Sequence, residues 1–447
     1  MRIRHILFIG LTACSLGLAQ TPGQKPGDPG LTVCKPTKAP KPPKAVLKRG
    51  DRLAICGDSI TEQKMYSRLM EDYLTMCVPE LNVTVRQYGW GGERAPGFLA
   101  RMTNDCLRFK PTIATTCYGM NDHEYRPYED RIGQTYRTNS DAIVKSFKAN
   151  GAKVIQGSPG CVGKVPGWSK HPEYKLSDLN SNLCNLRNIG IEIARKDKAG
   201  FADVFWPMLT SGVEAQARYG ADYAIAGHDG VHPGWAGHTV MAYAFLKALG
   251  LDGEIGTFVV DLKKGKLTAS KGHDPVSANA GVFEIRSSRY PFCACIPPGQ
   301  TKATYPVCGE DDPAKDNSIR SAMTLIPFNA DLNRLMLKVK NAKAGSYKVT
   351  WGTGSKTYTS KQLAQGINLV EEFPSNPFCD AFAKVDAAVA AKQAFETKQI
   401  KKDFRSPEAK ADMEAVAAAT EKEREPLAAA IKAAFVPVSH TIRIEAQ

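Results

Sequence analysis

The stretch Arg52-Leu53-Ala54-Ile55-Cys56-Gly57-Asp58-Ser59-Ile60-Thr61 decides the fold. Its unbroken apolar run, 53–56, reads as a strand buried on both faces, and Gly57-Asp58-Ser59 ends it with turn and helix-cap residues. Outward from it the same grammar repeats. Strands are expected at 83–88, 113–117, 154–156 and 202–205, and helices near 65–76, 98–109, 138–148, 179–196 and 236–249. Strand followed by helix, repeated, predicts an α/β fold with a mainly parallel sheet covered on both faces. In such sheets the working residues lie on loops at the carboxyl ends of the strands.

Short blocks of chemistry-bearing residues fall at those places. Gly57-Asp58-Ser59-Ile60-Thr61 follows the first strand, Gly89-Trp90-Gly91-Gly92-Glu93 the second and Gly119-Met120-Asn121-Asp122 the third; Asp229-Gly230-Val231-His232-Pro233 precedes the last helix. Each has a plainer reading alone: Ser59 as a helix N-cap, the glycines as turn formers, Asn121 and Asp122 as turn or cap residues, Asp229 as the final helix's cap. Together they supply what acyl transfer needs: a hydroxyl nucleophile, a base, a carboxylate to orient the base, and oxyanion donors. Asp229 and His232, three residues apart, can pair so that one imidazole nitrogen meets the carboxylate while the other faces Ser59.

In order, spacing and strand context these blocks resemble the GDSL/SGNH hydrolase superfamily, over about residues 50–250. The resemblance implies a flavodoxin-like three-layer α/β/α sandwich and a serine esterase or acylhydrolase that needs no cofactor. It implies Ser59 as nucleophile and one oxyanion donor, Gly92 and Asn121 as the other donors, and Asp229 and His232 as the rest of a triad. Gln87 departs from the pattern, standing where the second block commonly opens with Asn, so Gly91 stays open as the alternative oxyanion glycine. The GxSxG elbow of α/β-hydrolases is absent. His228 and His238 flank His232 without a carboxylate three residues before them, and His123 is expected to be structural or on the surface rather than a substrate contact. No metal constellation is apparent.

Residues 1–19 read as a signal peptide: Arg2 and Arg4, an apolar run at 6–13, and Gly17-Leu18-Ala19 before Gln20. Leu11-Thr12-Ala13-Cys14 offers an alternative, a lipobox in which Cys14 would carry a lipid anchor. The expected location is periplasmic or extracellular, or the outer membrane as a lipoprotein. Nothing further along reaches the roughly 18 apolar residues of a membrane span. Residues 20–49, rich in Pro, Gly and Lys, read as an extended linker. The chain has 12 cysteines. Export predicts disulfides among them, and removing Cys14 leaves an odd number, so at least one thiol is unpaired within the chain. Cys293, Cys295 and Cys308 are expected to form a disulfide loop rather than a zinc knot, because no CxxC pair or nearby His completes a ligand set. The net charge of +14 is dispersed. That argues against a nucleic-acid reader and leaves a weak attraction to anionic surfaces or acidic polymers.

The alternation stops past Gly253, so a catalytic domain is expected at 50–252 and a strand-rich and helical accessory domain at 253–447. There, 335–339 and 346–351 read as antiparallel strands joined by a turn at 341–345. Residues 380–434 read as a packed helical hairpin with an apolar stripe of Phe382, Val385 and Val389, and 441–444 as a returning strand. The extension either shapes substrate access or buttresses the first domain. Analogy with bacterial saccharide deacetylases points to carbohydrate esters as substrates. The alternatives are a lipase or arylesterase for lipid or small-molecule esters, and a catalytically silent binding protein; the oligomeric state is not legible.

Overall fold

The computed structural model describes residues 31, 34–43, 46–294 and 312–447. The expected signal segment, Cys14, Cys295 and Cys308 lie outside the described residues. The first sheet is built from β1 (Arg52–Gly57), β2 (Thr84–Gln87), β3 (Ile113–Cys117), β4 (Lys153–Gly157) and β5 (Gly200–Ala202), in the order β2-β1-β3-β4-β5. All neighbours are parallel, the doubly wound order of a flavodoxin-like sheet. The period of two explains the unbroken apolar run in β1. Leu53 and Ile55 enter one core and Ala54 and Cys56 the other, so both faces demand apolar residues.

Seven helices accompany this sheet: α1 (Ser59–Glu62), α2 (Tyr66–Asp72), α3 (Ala95–Asp105), α4 (Asp130–Ala149), α5 (Leu176–Lys196), α6 (Phe205–Tyr219) and α7 (Trp235–Ala248). One face carries α3, α4 and α5, with Phe98, Phe147 and Leu186 over Ala54, Ala114 and Val154. The other carries α2 and α7, with Met70, Val240 and Phe245 over Leu53, Ile113 and Ile155. Phe147 and Phe245 are each fully buried, and truncating such a side chain to Ala costs about 3–5 kcal/mol.

Two expectations for this half need correction. The strand expected at 202–205 ends at Ala202, and Phe205 opens α6, a helix the sequence reading lacked. Pro207 masked it, yet proline is tolerated in a first turn. The Ser158 hydroxyl accepts the Val204 and Phe205 N–H groups at 2.9 Å each, a cap supplied from a distant loop. The helix expected at 65–76 is α-helical only to Asp72, and Tyr73–Cys77 continues as a π-helical turn. Ahead of β1, residues 34–43 run extended beside α5. The Cys34–Cys184 disulfide pins them, as does the Asn188 side chain, whose Oδ1 accepts from Thr37 N at 2.9 Å.

Past Gly253 the chain forms two further sheets. Their strands are β6 (Glu254–Asp261), β7 (Lys266–Ala269), β8 (His273–Asn279), β9 (Val282–Ser287), β10 (Arg334–Lys340), β11 (Ser346–Trp351), β12 (Gly354–Thr359), β13 (Ile367–Asn368) and β14 (Val438–Ala446). The sheet orders are β13-β10-β6-β7 and β12-β11-β14-β9-β8. The expected hairpin across 341–345 is therefore wrong. β10 pairs parallel with β6, β11 pairs antiparallel with β12 and β14, and the turn crosses from one sheet to the other. Alternation marked both strands, since Leu335, Leu337 and Val339 face one core and Tyr347, Val349 and Trp351 another part of it, but it carries no information about partners.

The helices Cys379–Lys401 and Met413–Ala434 form the expected hairpin, with Phe382, Val385 and Val389 buried. The hairpin lies along β2, the edge strand of the first sheet. An edge strand presents unpaired backbone groups. Here Lys392 Nζ donates to Val85 O at 2.6 Å, Arg424 Nη2 donates to the same oxygen at 3.2 Å, and Gln87 N donates to Glu396 Oε2 at 3.2 Å. Lys392 is in turn paired with Glu71 and Glu396. Hairpin side chains thus stand in for a missing neighbouring strand.

Candidate active site

Ser59 is the first residue of α1, at the point where β1 leaves the sheet. Asp58 caps that helix through Ile60 N, which donates to its Oδ1 at 3.0 Å. The cap turns the chain sharply and leaves Ser59 partly exposed above a strand buried from Leu53 to Gly57. The Asp58 carboxyl is itself buried, and loss of hydration, helped by the nearby Asp122 and Glu93 charges, pushes it up to about 7. Asp122 plays the matching role under the third loop. Its two oxygens accept Ala95 N and Gly119 N at 3.0 Å each, and burial raises it to about 6.

His232 and Asp229 come from the loop between α6 and α7. The Ser59 Oγ to His232 Nε2 distance is 2.8 Å, and His232 Nδ1 lies 2.7 Å from Asp229 Oδ2. The other Asp229 oxygen accepts the backbone N–H groups of Val231 and His232, both at 2.8 Å. Partial burial works to raise this carboxyl, but those two N–H groups and the imidazole outweigh it and hold Asp229 below the usual carboxylate range. A carboxylate only accepts, so the imidazole proton sits on Nδ1. Nε2 is then left to accept from the Ser59 hydroxyl. The His232 and Asp229 side chains are 28% and 37% exposed, so this row of three opens on the surface rather than into a deep pocket.

The loop after β2 carries the glycines. A Cβ on Gly89 would lie 2.2 Å from Glu62 N, so only glycine lets this loop pass over α1. Gly92 has φ +70°, a left-handed conformation in open space. Gly91, the alternative oxyanion donor, has its N–H committed to Glu62 Oε2. The Gly92 N–H has no acceptor among the described residues. Asn121 Nδ2 donates one proton to Glu93 O at 3.1 Å, tying the third loop to the second, and keeps a second proton. Ser59, Asp229 and His232 are thus in direct contact, and Asn121 is joined to the Gly92 loop through Glu93. Gln87 also explains itself. Its Oε1 accepts from Gly89 N at 2.9 Å, and its amide nitrogen donates to Thr397 of the hairpin.

Two aromatic residues at the site escaped the sequence reading. Tyr125 OH donates to Asn121 Oδ1 at 3.0 Å, which orients the amide. Tyr125 and Glu124 both have positive φ, 53° and 55°, a strain of about 1–3 kcal/mol each that non-glycine residues carry mostly at functional sites. The Trp168 ring stands edge-on to Tyr125 at 5.9 Å and 5.9 Å from the His232 ring, and it is 48% exposed. Trp168 belongs to the irregular stretch between β4 and α5, where no periodicity marks it, although an exposed Trp needs a reason. The remaining histidines are structural or peripheral. His123 is buried with Nδ1 on Met120 O, and desolvation lowers it to about 4. His238 is buried, accepts from Tyr66 N at 3.2 Å, and is lowered to about 3 by the same cause. His228 is exposed beside Asp316 at 3.3 Å.

Residues 55–240 match the model of the GDSL-like lipase/acylhydrolase family. Among solved structures, a gut microbial diltiazem-metabolizing enzyme is similar at 20% identity and a TM-score of 0.71, covering 91% of this chain and 100% of its own. That similarity shows the fold. Two others match 46% of this chain at a TM-score of 0.38. One is an alpha/beta hydrolase enzyme from the metagenome of Lake Arreo, Spain, 21% identical over 98% of its length. The other is a catalytic mutant of an acetylxylan esterase from Geobacillus stearothermophilus, 22% identical over 96% of its length. No curated protein matches the chain by sequence.

Proposed function

We propose that this chain, whose residues 55–240 match the GDSL-like lipase/acylhydrolase family, is an ester-bond hydrolase that cleaves carboxylic esters through a covalent acyl-Ser59 intermediate. The observation that carries this reading is the continuous Ser59–His232–Asp229 row, at 2.8 and 2.7 Å. Ser59 Oγ attacks the ester carbonyl carbon while its proton passes to His232 Nε2. Asp229 stabilises the imidazolium so formed. The carbonyl oxygen becomes an oxyanion, held by Ser59 N–H, Gly92 N–H and the spare Asn121 Nδ2 proton. As the C–O bond to the alcohol breaks, His232 returns the proton to the leaving alkoxide. Water, activated by the same imidazole, then releases the acid.

The proposed substrates are carbohydrate esters, chiefly acetyl esters. The open setting of His232 and the exposed Trp168 ring beside it support this: a broad apolar ring face suits the flat face of a pyranose on the alcohol side. The same ring would also stack an aryl alcohol, which keeps arylester hydrolysis as the second reading. Export is proposed as well. The basic, then apolar, start of the chain and the Cys34–Cys184 bridge both fit an oxidising compartment. Among the described residues no helix is long and apolar enough to cross a membrane. Initial rates on p-nitrophenyl acetate, longer p-nitrophenyl acyl esters and acetylated xylo-oligosaccharides test the assignment. Highest kcat/KM on the oligosaccharides supports it, highest on the aryl esters favours the second reading, and hydrolysis of none of them contradicts the proposed chemistry.

A further inference from the structure

The C-terminal hairpin reaches the Gly89–Gly92 loop through three separate contacts, more than cover for an edge strand requires. Gln87 donates to Thr397 Oγ1 and to Gln393 O on the hairpin, while its Oε1 accepts from Gly89 N at 2.9 Å. Lys401, the last residue of the first hairpin helix, donates to Glu62 Oε1, and Glu62 Oε2 accepts the Gly91 N–H. The Trp90 ring is ringed by cations: Lys401 Nζ and the Arg405 guanidinium at 5.2 Å each and the Arg101 guanidinium at 5.0 Å. Arg405 is anchored on the buried Asp105 at 2.9 and 2.6 Å, and Arg101 on Glu93 at 2.6 Å. Glu93 in turn gives its carbonyl to Asn121 Nδ2.

We propose that Lys401 is a positioning residue for the oxyanion loop: through Glu62 and Trp90 it sets the direction of the Gly91 and Gly92 peptides, so the C-terminal hairpin completes the catalytic geometry. The inference rests on the reading of Gly92 and Asn121 as oxyanion donors. The physical chain is short. With its N–H held by Glu62, the Trp90–Gly91 peptide is fixed, and the Gly92 N–H, one peptide further on, is left only the freedom of the Gly91 φ and ψ. Glu62 holds that place because Lys401 neutralises its other oxygen. Without the ammonium, the Glu62 carboxylate gains by turning toward water. Trp90 loses a cation from its face at the same time. A shift of the donors by a fraction of an ångström weakens a bond made chiefly in the transition state, so the loss falls on kcat rather than KM.

The test compares Lys401→Met, Lys401→Arg and Thr397→Val in the full chain, with wild type and Ser59→Ala assayed beside them on p-nitrophenyl acetate. For Lys401→Met we expect kcat about 10- to 100-fold lower. KM should stay within about twofold, and the acid limb of the pH profile, which follows the Ser59–His232 pair, should not move. Lys401→Arg should restore most of the rate. Thr397→Val, which removes one of the two hairpin acceptors of the Gln87 amide and leaves Gln393 O, should show a smaller loss of the same kind, and Lys401→Gln, which also removes the ammonium, decides the matter if Lys401→Met does not fold. Unchanged kcat in a folded Lys401→Met protein would overturn the proposal. So would a loss expressed in KM, a displaced acid limb, or no restoration by Arg. Activity remaining in Ser59→Ala would instead overturn the acyl-enzyme reading beneath it.

Discussion

Replacing Asp229 by Asn changes almost nothing in shape and should nevertheless disable the enzyme. One carboxylate oxygen accepts two backbone N–H groups at 2.8 Å, from Val231 and His232. In the variant that place must be filled by the amide oxygen, because an NH2 group there would face two donors. The amide nitrogen then occupies the other place, 2.7 Å from His232 Nδ1. It donates, so Nδ1 must accept and the imidazole proton moves to Nε2. Ser59 Oγ, at 2.8 Å, then faces an N–H and has nowhere to send its proton. A tautomer trap of this kind costs about ten-thousand-fold in kcat, or roughly 5 kcal/mol of transition-state stabilisation. The assay is turnover of p-nitrophenyl acetate near pH 8, with circular dichroism and thermal unfolding to show that the fold is kept. A folded Asp229→Asn protein within tenfold of wild-type kcat would refute the assignment of the Nδ1 proton and with it the role of Asp229.

Two further outcomes follow from burial. The Asp58 carboxyl is raised from 3.8 to about 7, so in the folded protein it stays protonated where the unfolded chain is ionised. The stability it contributes is complete below about pH 4 and is lost as pH rises through about 7, on the order of 4 kcal/mol in all. Asp58→Asn keeps an acceptor for Ile60 N and does not titrate. Urea unfolding from pH 4 to 8 should therefore show wild type losing about 4 kcal/mol relative to the variant, and parallel curves would contradict this. Truncation at Gly253 should yield aggregated protein on size-exclusion chromatography, because it strips Lys392, Glu396 and Arg424 from the edge of β2 and uncovers Ser67 and Glu71. A soluble truncate that still hydrolyses p-nitrophenyl acetate would favour an extension that only tunes access.

What could be read from the sequence was whatever acts locally. The apolar run of β1, alternation in β10 and β11, and the stripe of Phe382, Val385 and Val389 each follow from a period within one element. The Asp229 to His232 spacing could be read because the carboxylate, two N–H groups and the imidazole all lie within one turn. Partnerships across the chain could not. β10 finds its parallel neighbour in β6, and Lys401 finds Glu62 across 339 residues, with no local pattern marking either. Gln87 departs from a familiar block for a reason equally remote in sequence, the grip of its amide on Thr397. Trp168 and Tyr125 were hidden for another reason: both sit in irregular loops, and that of Tyr125 is held by Asn121 and by strained backbone, neither of which periodicity reports.

The central claim is that Ser59 carries the acyl group, and intact-protein mass spectrometry with a serine-directed phosphonate tests it most directly. The account predicts one adduct per chain, mapped by peptide sequencing to Ser59, with loss of ester hydrolysis in proportion to labelling and neither adduct nor activity in Ser59→Ala. An adduct at another residue, or a Ser59→Ala protein that hydrolyses p-nitrophenyl acetate at the wild-type rate, would contradict it.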